Sequence, residues 1–156
     1  MTGHATPNTA RRRSLLSIFG IGLLAGGVRA AADRSAIVQP TTVDHRAFMA
    51  RAEGMRDLAV ASGDQGYGAV IVKDGRIVGQ SPSRVVINRD PTAHAETEAI
   101  RDACRRLGTR NLHGCIMYST TAACAMCETA AYWANVTHMY AGAGITDQGA
   151  PRYGGC

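Results

Sequence analysis

Two short motifs constrain this chain more than any other feature of its sequence. The first reads His94-Ala95-Glu96, and the second reads Cys-Ala-Met-Cys from Cys124 to Cys127, with 29 residues between His94 and Cys124. One imidazole and two thiolates make three of the four ligands of tetrahedral zinc, and a fourth position left to water is typical of a catalytic site. We therefore predict that His94, Cys124 and Cys127 bind zinc, and that the fold brings both motifs together.

The residues around each motif predict that both motifs stand at the start of a helix. The first helix is expected from about Ala93 to Leu107, where Gly108 ends it, and the second from about Cys124 to Ala134. Cys127 follows Cys124 by one turn, so both sulfurs lie on one face. The positive ends of two helix dipoles favour thiolates over thiols.

Glu96 is the predicted catalytic residue. It stands two positions after His94, so it points to a different side of the helix and can reach the fourth zinc position without binding the metal. Such a carboxylate can take a proton from the attacking water and deliver protons to a ring nitrogen and to a leaving amine.

The motifs also allow simpler interpretations. A Cys-x-x-Cys pair alone is also typical of redox proteins. A structural zinc site would need a fourth protein ligand, and none of the remaining candidates is spaced as a second pair: His113, His138, Cys104 and Cys115.

The rest of the chain predicts an α/β fold in which a mixed sheet is layered with helices. The periodicity predicts a further helix over about 45–61 and four strands, two of which form a hairpin around Asp74-Gly75. The four expected strands are 67–73, 76–80, 115–120 and 137–141. Residues 81–92 and the glycine-rich tail from Gly142 are expected to be loops.

The first 32 residues are typical of an export signal. Arg11 to Arg13 precede an uncharged, mostly apolar run from Ser14 to Val28, and Ala30-Ala31-Ala32 offers a cleavage site. The arginine pair followed by Ser-Leu-Leu resembles a twin-arginine signal, so we predict export to the periplasm by that route. A general secretory signal or an uncleaved anchor are the alternatives. Residues 33–42 are then a linker, and residues 43–156 form the catalytic domain.

Charge argues against a nucleic-acid partner. The net charge is +5, but residues 1–32 hold four arginines and no acid, which leaves thirteen basic and twelve acidic residues in 33–156. A domain so close to neutrality lacks the basic surface expected of a tRNA or DNA binder.

Residues 67–141 resemble the cytidine/deoxycytidylate deaminase superfamily, and within it bacterial guanine deaminases and tRNA-type adenosine deaminases. The matching stretches are Gly68–Gly75, Asp90–Glu96, Ala125–Cys127 and Tyr132–Ala134. The resemblance implies a three-layer α/β/α sandwich with a central mixed five-strand sheet and a homodimer or larger homo-oligomer. It also implies that the backbone N–H of Ala95 contacts the substrate ring.

Several positions depart from the pattern of that superfamily. Ala122-Ala123 replace a Glu-Pro pair before the first cysteine, and Ser83 stands where family members have an asparagine that contacts the base. Gly66-Tyr67 replace a Pro-aromatic pair, and Tyr153 is followed by two glycines where guanine deaminases have an acidic pair after an aromatic residue. We therefore expect retained chemistry with an altered pocket, and we name Ser83 and Ala95 as substrate contacts.

The predicted function is zinc-dependent hydrolytic deamination of a free purine base or nucleoside, guanine first, with release of ammonia. One set of alternatives is deamination of adenosine, in tRNA or free, or of cytosine or cytidine. The other is a zinc-bound relic without activity.

Overall fold

The structure is a computed structural model, and it describes residues 36–153. The predicted export signal, residues 1–32, lies outside the described residues. The helices are His45–Ala61 (α1), Val85–Asn88 (α2), Ala95–Leu107 (α3) and Ala125–Trp133 (α4). The strands are Gly68–Lys73 (β1), Arg76–Pro82 (β2), Cys115–Ser119 (β3), His138–Ala141 (β4) and Thr146–Gly149 (β5). Within residues 36–153, no helix combines the length and the apolar character needed to cross a bilayer.

The five strands form one mixed sheet in the order β2-β1-β3-β4-β5. Strand β1 is antiparallel to both β2 and β3, β3 is parallel to β4, and β5 returns antiparallel to β4. The parallel pair is connected through α4, as a parallel connection requires a crossover. The predicted central five-strand sheet is confirmed.

Helices cover both faces of the sheet. Because successive side chains of a strand point to opposite faces, Ala69 and Ile71 of β1 pack with residues of α3 and α4, such as Ala99 and Ala131. The alternate residues of β1 pack against α1, in a cluster that contains Val70, Val72, Phe48, Met49 and Met55. The predicted three-layer α/β/α sandwich is therefore confirmed.

Helix α1 lies directly on the start of β1. Its N-cap is Asp44, whose carboxylate accepts a hydrogen bond of 2.7 Å from the N–H of Ala47. A Cβ atom added to Gly68 would lie only 2.2 Å from the carbonyl oxygen of Ala52. Only glycine permits this approach. It holds α1 against the end of the sheet where β1 begins, which is also the end that carries the site described below.

Two elements differ from the sequence predictions. The expected loop 81–92 contains the last residues of β2 and the short helix α2, and the expected loop after Gly142 contains β5. Strand β5 escaped prediction because it is a four-residue edge strand whose Thr146 and Asp147 are exposed, so it shows no apolar alternation. A hydrogen bond of 2.7 Å between His138 Nε2 and Asp147 Oδ1 attaches it to β4.

The described part of the predicted linker, residues 36–42, is held against the sheet. The side-chain amide of Gln39 bonds both the carbonyl and the N–H of Ile77, at 2.8 and 2.9 Å. These are the two backbone groups that a neighbouring strand would bond on the outer edge of β2. Ile37 also packs on the core next to α1.

The sheet places the starts of two helices at the same end of its strands. In the antiparallel ladders, Gly68 at the start of β1 pairs with Pro82 at the end of β2, and Ala69 pairs with Ser119 at the end of β3. The loop after β2 leads to α3 and the loop after β3 leads to α4. Both helices consequently begin at this end, as the motifs require.

Candidate active site

Two metal-binding residue types occupy the N-cap positions of α3 and α4. His94 and Cys124 both have extended backbones, with ψ of 154° and 166°, and the helices begin at the residues after them. Neither side chain bonds the N–H groups of its own helix. Both side chains instead face the space between the two helix starts, where Cys127, one turn into α4, joins them.

The three side chains have the spacing that zinc requires. The Nδ1 atom of His94 lies 3.7 Å from Sγ of Cys124 and 3.6 Å from Sγ of Cys127, and the two sulfurs are 3.6 Å apart. Tetrahedral zinc, with bonds of about 2.3 Å to sulfur and about 2.0 Å to nitrogen, holds two sulfurs about 3.8 Å apart and sulfur and nitrogen about 3.6 Å apart. The predicted ligands therefore fit the metal without rearrangement.

The three predicted ligands differ in their exposure to solvent. Cys127 is buried, His94 is half-buried and Cys124 is exposed. Burial raises the pKa of the Cys127 thiol well above its usual range, and the nearby Glu96 carboxylate and Cys124 raise it further. A cation favours the thiolate, so this site must release a proton when it binds metal. Among residues 36–153, this is the one group of three such side chains within ligand distance of one another.

Glu96 lies beside the ligand group but outside it. Its side chain is 5% exposed, and Oε2 is 3.6 Å from Sγ of Cys127. Burial raises the pKa of the Glu96 carboxyl, against the opposing effects of its own backbone N–H, the Cys127 thiol and His94. A buried carboxyl whose pKa is raised by its surroundings is suited to proton transfer.

Of the two predicted substrate contacts, Ala95 is at the site. It is the first residue of α3, so its N–H has no acceptor within the helix. Its side chain is buried in the core beside β1. A hydrogen bond from Ala95 to a substrate stays a prediction.

The position of Ser83 does not support its predicted role. The side chain has no accessible surface, and its hydroxyl donates a hydrogen bond of 2.8 Å to Oδ1 of Asp64. The N–H of Ser83 bonds the carbonyl of Tyr67 at 2.9 Å. A serine enclosed in this way offers no surface to a ligand. Its hydrogen bonds instead stabilise the loop after β2.

Asp64 organises that loop, a role that was not predicted from the sequence. Besides Ser83, its carboxylate accepts hydrogen bonds of 2.8 to 3.0 Å from the N–H groups of Gln65, Val86 and Ile87. Burial would raise the pKa of Asp64, but these hydrogen bonds together outweigh burial and lower it. The one signal in the sequence was an acid in the turn before β1, where a solvated side chain is the usual interpretation.

Comparison with known proteins places the chain in a family. Residues 42–143 match the family model of the cytidine and deoxycytidylate deaminase zinc-binding region. The match contains all three predicted ligands and Glu96.

The similar proteins include deaminases of two kinds. Guanine deaminase of Bacillus subtilis is 42% identical over 106 residues, which are 67% of this chain and 68% of that protein. The tRNA-specific adenosine deaminase of Aquifex aeolicus is 47% identical over 72 residues, which are 46% of this chain and about half (48%) of that protein.

Solved structures agree with the sequence matches. The X-ray structure of guanine deaminase from Bacillus subtilis has a TM-score of 0.62 at 39% identity, covering 67% of this chain and 72% of that one. A structure from studies of A-to-I editing by tRNA:A34 deaminases has a TM-score of 0.59 at 38% identity, covering 61% and 69%. The chain belongs to the cytidine and deoxycytidylate deaminase zinc-binding family, and it is a zinc-dependent deaminase of nucleobases or nucleosides.

Proposed function

We propose that this protein hydrolytically removes the exocyclic amine of a free purine base or nucleoside, guanine first, and releases ammonia. The observation that carries the deaminase chemistry is the buried Glu96 carboxyl 3.6 Å from Sγ of the ligand Cys127. The choice of guanine is supported by the 42% identity to a guanine deaminase over 106 residues, which exceeds the 39% identity to a tRNA-specific adenosine deaminase over 105 residues.

The arrangement of residues suggests how the reaction proceeds. When bound by His94, Cys124 and Cys127, zinc supplies the Lewis acidity that makes water an effective nucleophile at neutral pH. Glu96 accepts a proton from water as the oxygen bonds to the ring carbon, and it delivers that proton to the ring nitrogen. It then accepts the remaining proton of the added hydroxyl group and delivers it to the amine. The bond between carbon and the amine nitrogen then breaks, a carbonyl forms and ammonia leaves. The N–H of Ala95 is proposed to hold the ring by a hydrogen bond.

A second candidate is deamination of adenosine in tRNA. The 47% identity to the Aquifex enzyme favours it, whereas the near neutrality of residues 33–156 opposes it. A gel shift with tRNA at about 150 mM salt distinguishes the two, because binding that depends on phosphate contacts must survive that salt concentration to be physiologically useful. Tight binding there would rank tRNA above guanine.

The decisive test is a substrate screen on protein of measured zinc content. Ammonia release is followed with guanine, adenine, adenosine, cytosine and cytidine, using Glu96→Gln as the inactive control. We expect the highest kcat/KM for guanine. Protein that contains zinc and releases no ammonia from any of these compounds would instead support the relic, and a preference for cytosine or cytidine would reject the purine assignment.

We further propose that the protein is exported and forms a homodimer. Export is supported by Arg11 to Arg13 followed by the uncharged run from Ser14 to Val28. Cell fractionation tests export: the double variant Arg12→Lys, Arg13→Lys should remain in the cytoplasm if the route is twin-arginine.

Light scattering on the purified protein measures the oligomeric state, and a monomeric mass would reject the proposed homodimer.

A further inference from the structure

Thr97 is a buried hydroxyl residue beside the metal ligands to which the reaction assigns no role. It is the third residue of α3, and its side chain is 6% exposed. Its Oγ1 lies 2.6 Å from the carbonyl oxygen of Thr92 and 2.9 Å from the carbonyl oxygen of His94. The single hydroxyl proton is therefore shared between two carbonyl groups of the segment that leads into the helix.

The entry into α3 needs support of this kind. A helix is usually fixed at its start by an N-cap side chain that accepts a hydrogen bond from the first turn. Here the N-cap is His94, whose side chain makes no such bond because Nδ1 faces the two cysteines. Thr97 acts in the opposite direction, since a threonine inside a helix can donate to carbonyl groups of the preceding turn.

The same segment is held on its other side by Asp90. Its Oδ1 accepts hydrogen bonds from both the N–H and the hydroxyl of Thr92, at 2.8 and 2.7 Å. The carbonyl of Ala93 accepts a further bond of 2.9 Å from the N–H of Arg84. The backbone of His94 is thus fixed from the loop by these groups and from the helix by Thr97.

We propose that Thr97 is a positioning residue of the zinc site, whose hydroxyl fixes the backbone of His94 and so sets the metal affinity. The hydroxyl of Thr97 bonds backbone carbonyl groups and not the ligand atoms. It acts through the position of His94 Nδ1, which must stay 3.6 to 3.7 Å from both sulfurs for zinc to be bound. The proposal concerns metal affinity, so it holds or fails independently of which substrate is deaminated.

The test compares zinc affinity in variants that differ by one hydroxyl group. Thr97→Val keeps the shape and removes the hydroxyl, and Thr97→Ser keeps the hydroxyl. Zinc Kd is measured by competition with a chromophoric chelator, and Co²⁺ absorption reports the ligand geometry. Loss of a group that orients a ligand costs about 10- to 100-fold in metal affinity. We expect a loss of at least tenfold in Thr97→Val, with an altered Co²⁺ spectrum, and near-native affinity in Thr97→Ser.

Thr137→Val is the matched control, because the hydroxyl of Thr137 also bonds a backbone group, the N–H of Gly114 at 2.7 Å, at the opposite end of the sheet. Native zinc affinity in Thr97→Val would overturn the proposal. So would an equal loss in Thr97→Ser, which would assign the effect to the methyl group, or an equal loss in the control. If Thr97→Val does not fold, Thr97→Ser and Thr97→Ala, which differ only in the hydroxyl, decide by the same criterion.

Discussion

Oε2 of Glu96 lies 3.6 Å from Sγ of Cys127, although the two residues are 31 positions apart and belong to different helices. Both side chains are buried. The sheet makes this contact by placing the starts of α3 and α4 at the same end. The predicted metal ligand and the proposed proton carrier are therefore neighbours, and substitutions can separate the two roles.

Glu96→Gln should remove catalysis and leave the metal in place. The amide has nearly the same shape but cannot accept the proton of the attacking water, and general acid–base catalysis typically contributes about 10²- to 10⁴-fold. We expect kcat to fall by that factor while zinc content stays native. Ammonia release and metal analysis on one preparation measure both quantities. A parallel loss of zinc would show that Glu96 is a ligand instead.

Cys127→Ser should abolish stable zinc binding. A hydroxyl is a much poorer zinc ligand than a thiolate, and the remaining His94 and Cys124 are too few to hold the ion. Metal analysis after dialysis against a weak chelator should find little zinc. Cys104→Ser is the control, because Cys104 is a half-buried free thiol that packs on the core. Equal zinc retention in both variants would contradict the assigned ligand set.

Features of the fold and of the metal site that depend on local sequence patterns could be predicted. The proximity of His94, Cys124 and Cys127 was predictable because metal ligands have few chemical alternatives and a local spacing at a helix start. The bounds of α1 were predicted correctly, because Phe48, Ala52 and Met55 recur at the helical period over a long segment.

Contacts between distant polar residues were not predictable. Ser83 was assigned to the substrate because nothing in the sequence connects it with Asp64, 19 positions earlier. The hydrogen bond from the Thr97 hydroxyl to the carbonyl of His94 was not predicted for a similar reason. A threonine in the first turn of a helix has several possible partners. Strand β5 is recognised only by its pairing with β4.

Asp64→Asn should destabilise the protein, and the effect should depend on pH. Its four accepted hydrogen bonds lower the pKa of the folded state below the ordinary 3.8, despite the burial that opposes them. The stability that the carboxylate adds is thus complete above pH 3.8 and is lost as the pH falls through the folded pKa. An amide would direct its NH₂ group at backbone donors, at a cost of about 1–3 kcal/mol.

Urea unfolding between pH 3 and pH 7 measures this effect, with exposed Asp57→Asn as the control. We expect the difference between wild type and Asp64→Asn to be largest at neutral pH and to shrink toward pH 3. Asp57, whose side chain is 69% exposed in its ion pair with Arg56, should change the free energy of unfolding by less than about 0.5 kcal/mol. A difference for Asp64→Asn that is constant across this range would contradict the lowered pKa.

Gly68→Ala and Gly54→Ala should change stability in opposite directions. At Gly68 the new Cβ would lie 2.2 Å from the carbonyl oxygen of Ala52 and 2.3 Å from the N of Arg56, and these backbone atoms of α1 can move only with the helix. We expect a loss of at least about 1–3 kcal/mol in the free energy of unfolding, the usual cost of overpacking.

At Gly54, inside α1, a Cβ would meet nothing within 4 Å. Alanine there should stabilise the protein by about 0.5–1 kcal/mol, because glycine loses more conformational entropy than alanine when a helix forms. Urea unfolding of both variants gives the two signs directly. Because zinc also stabilises the folded state, the measurement is made on metal-saturated protein. An unchanged free energy of unfolding in Gly68→Ala would show that α1 does not lie as close to β1 as the 2.2 Å distance implies.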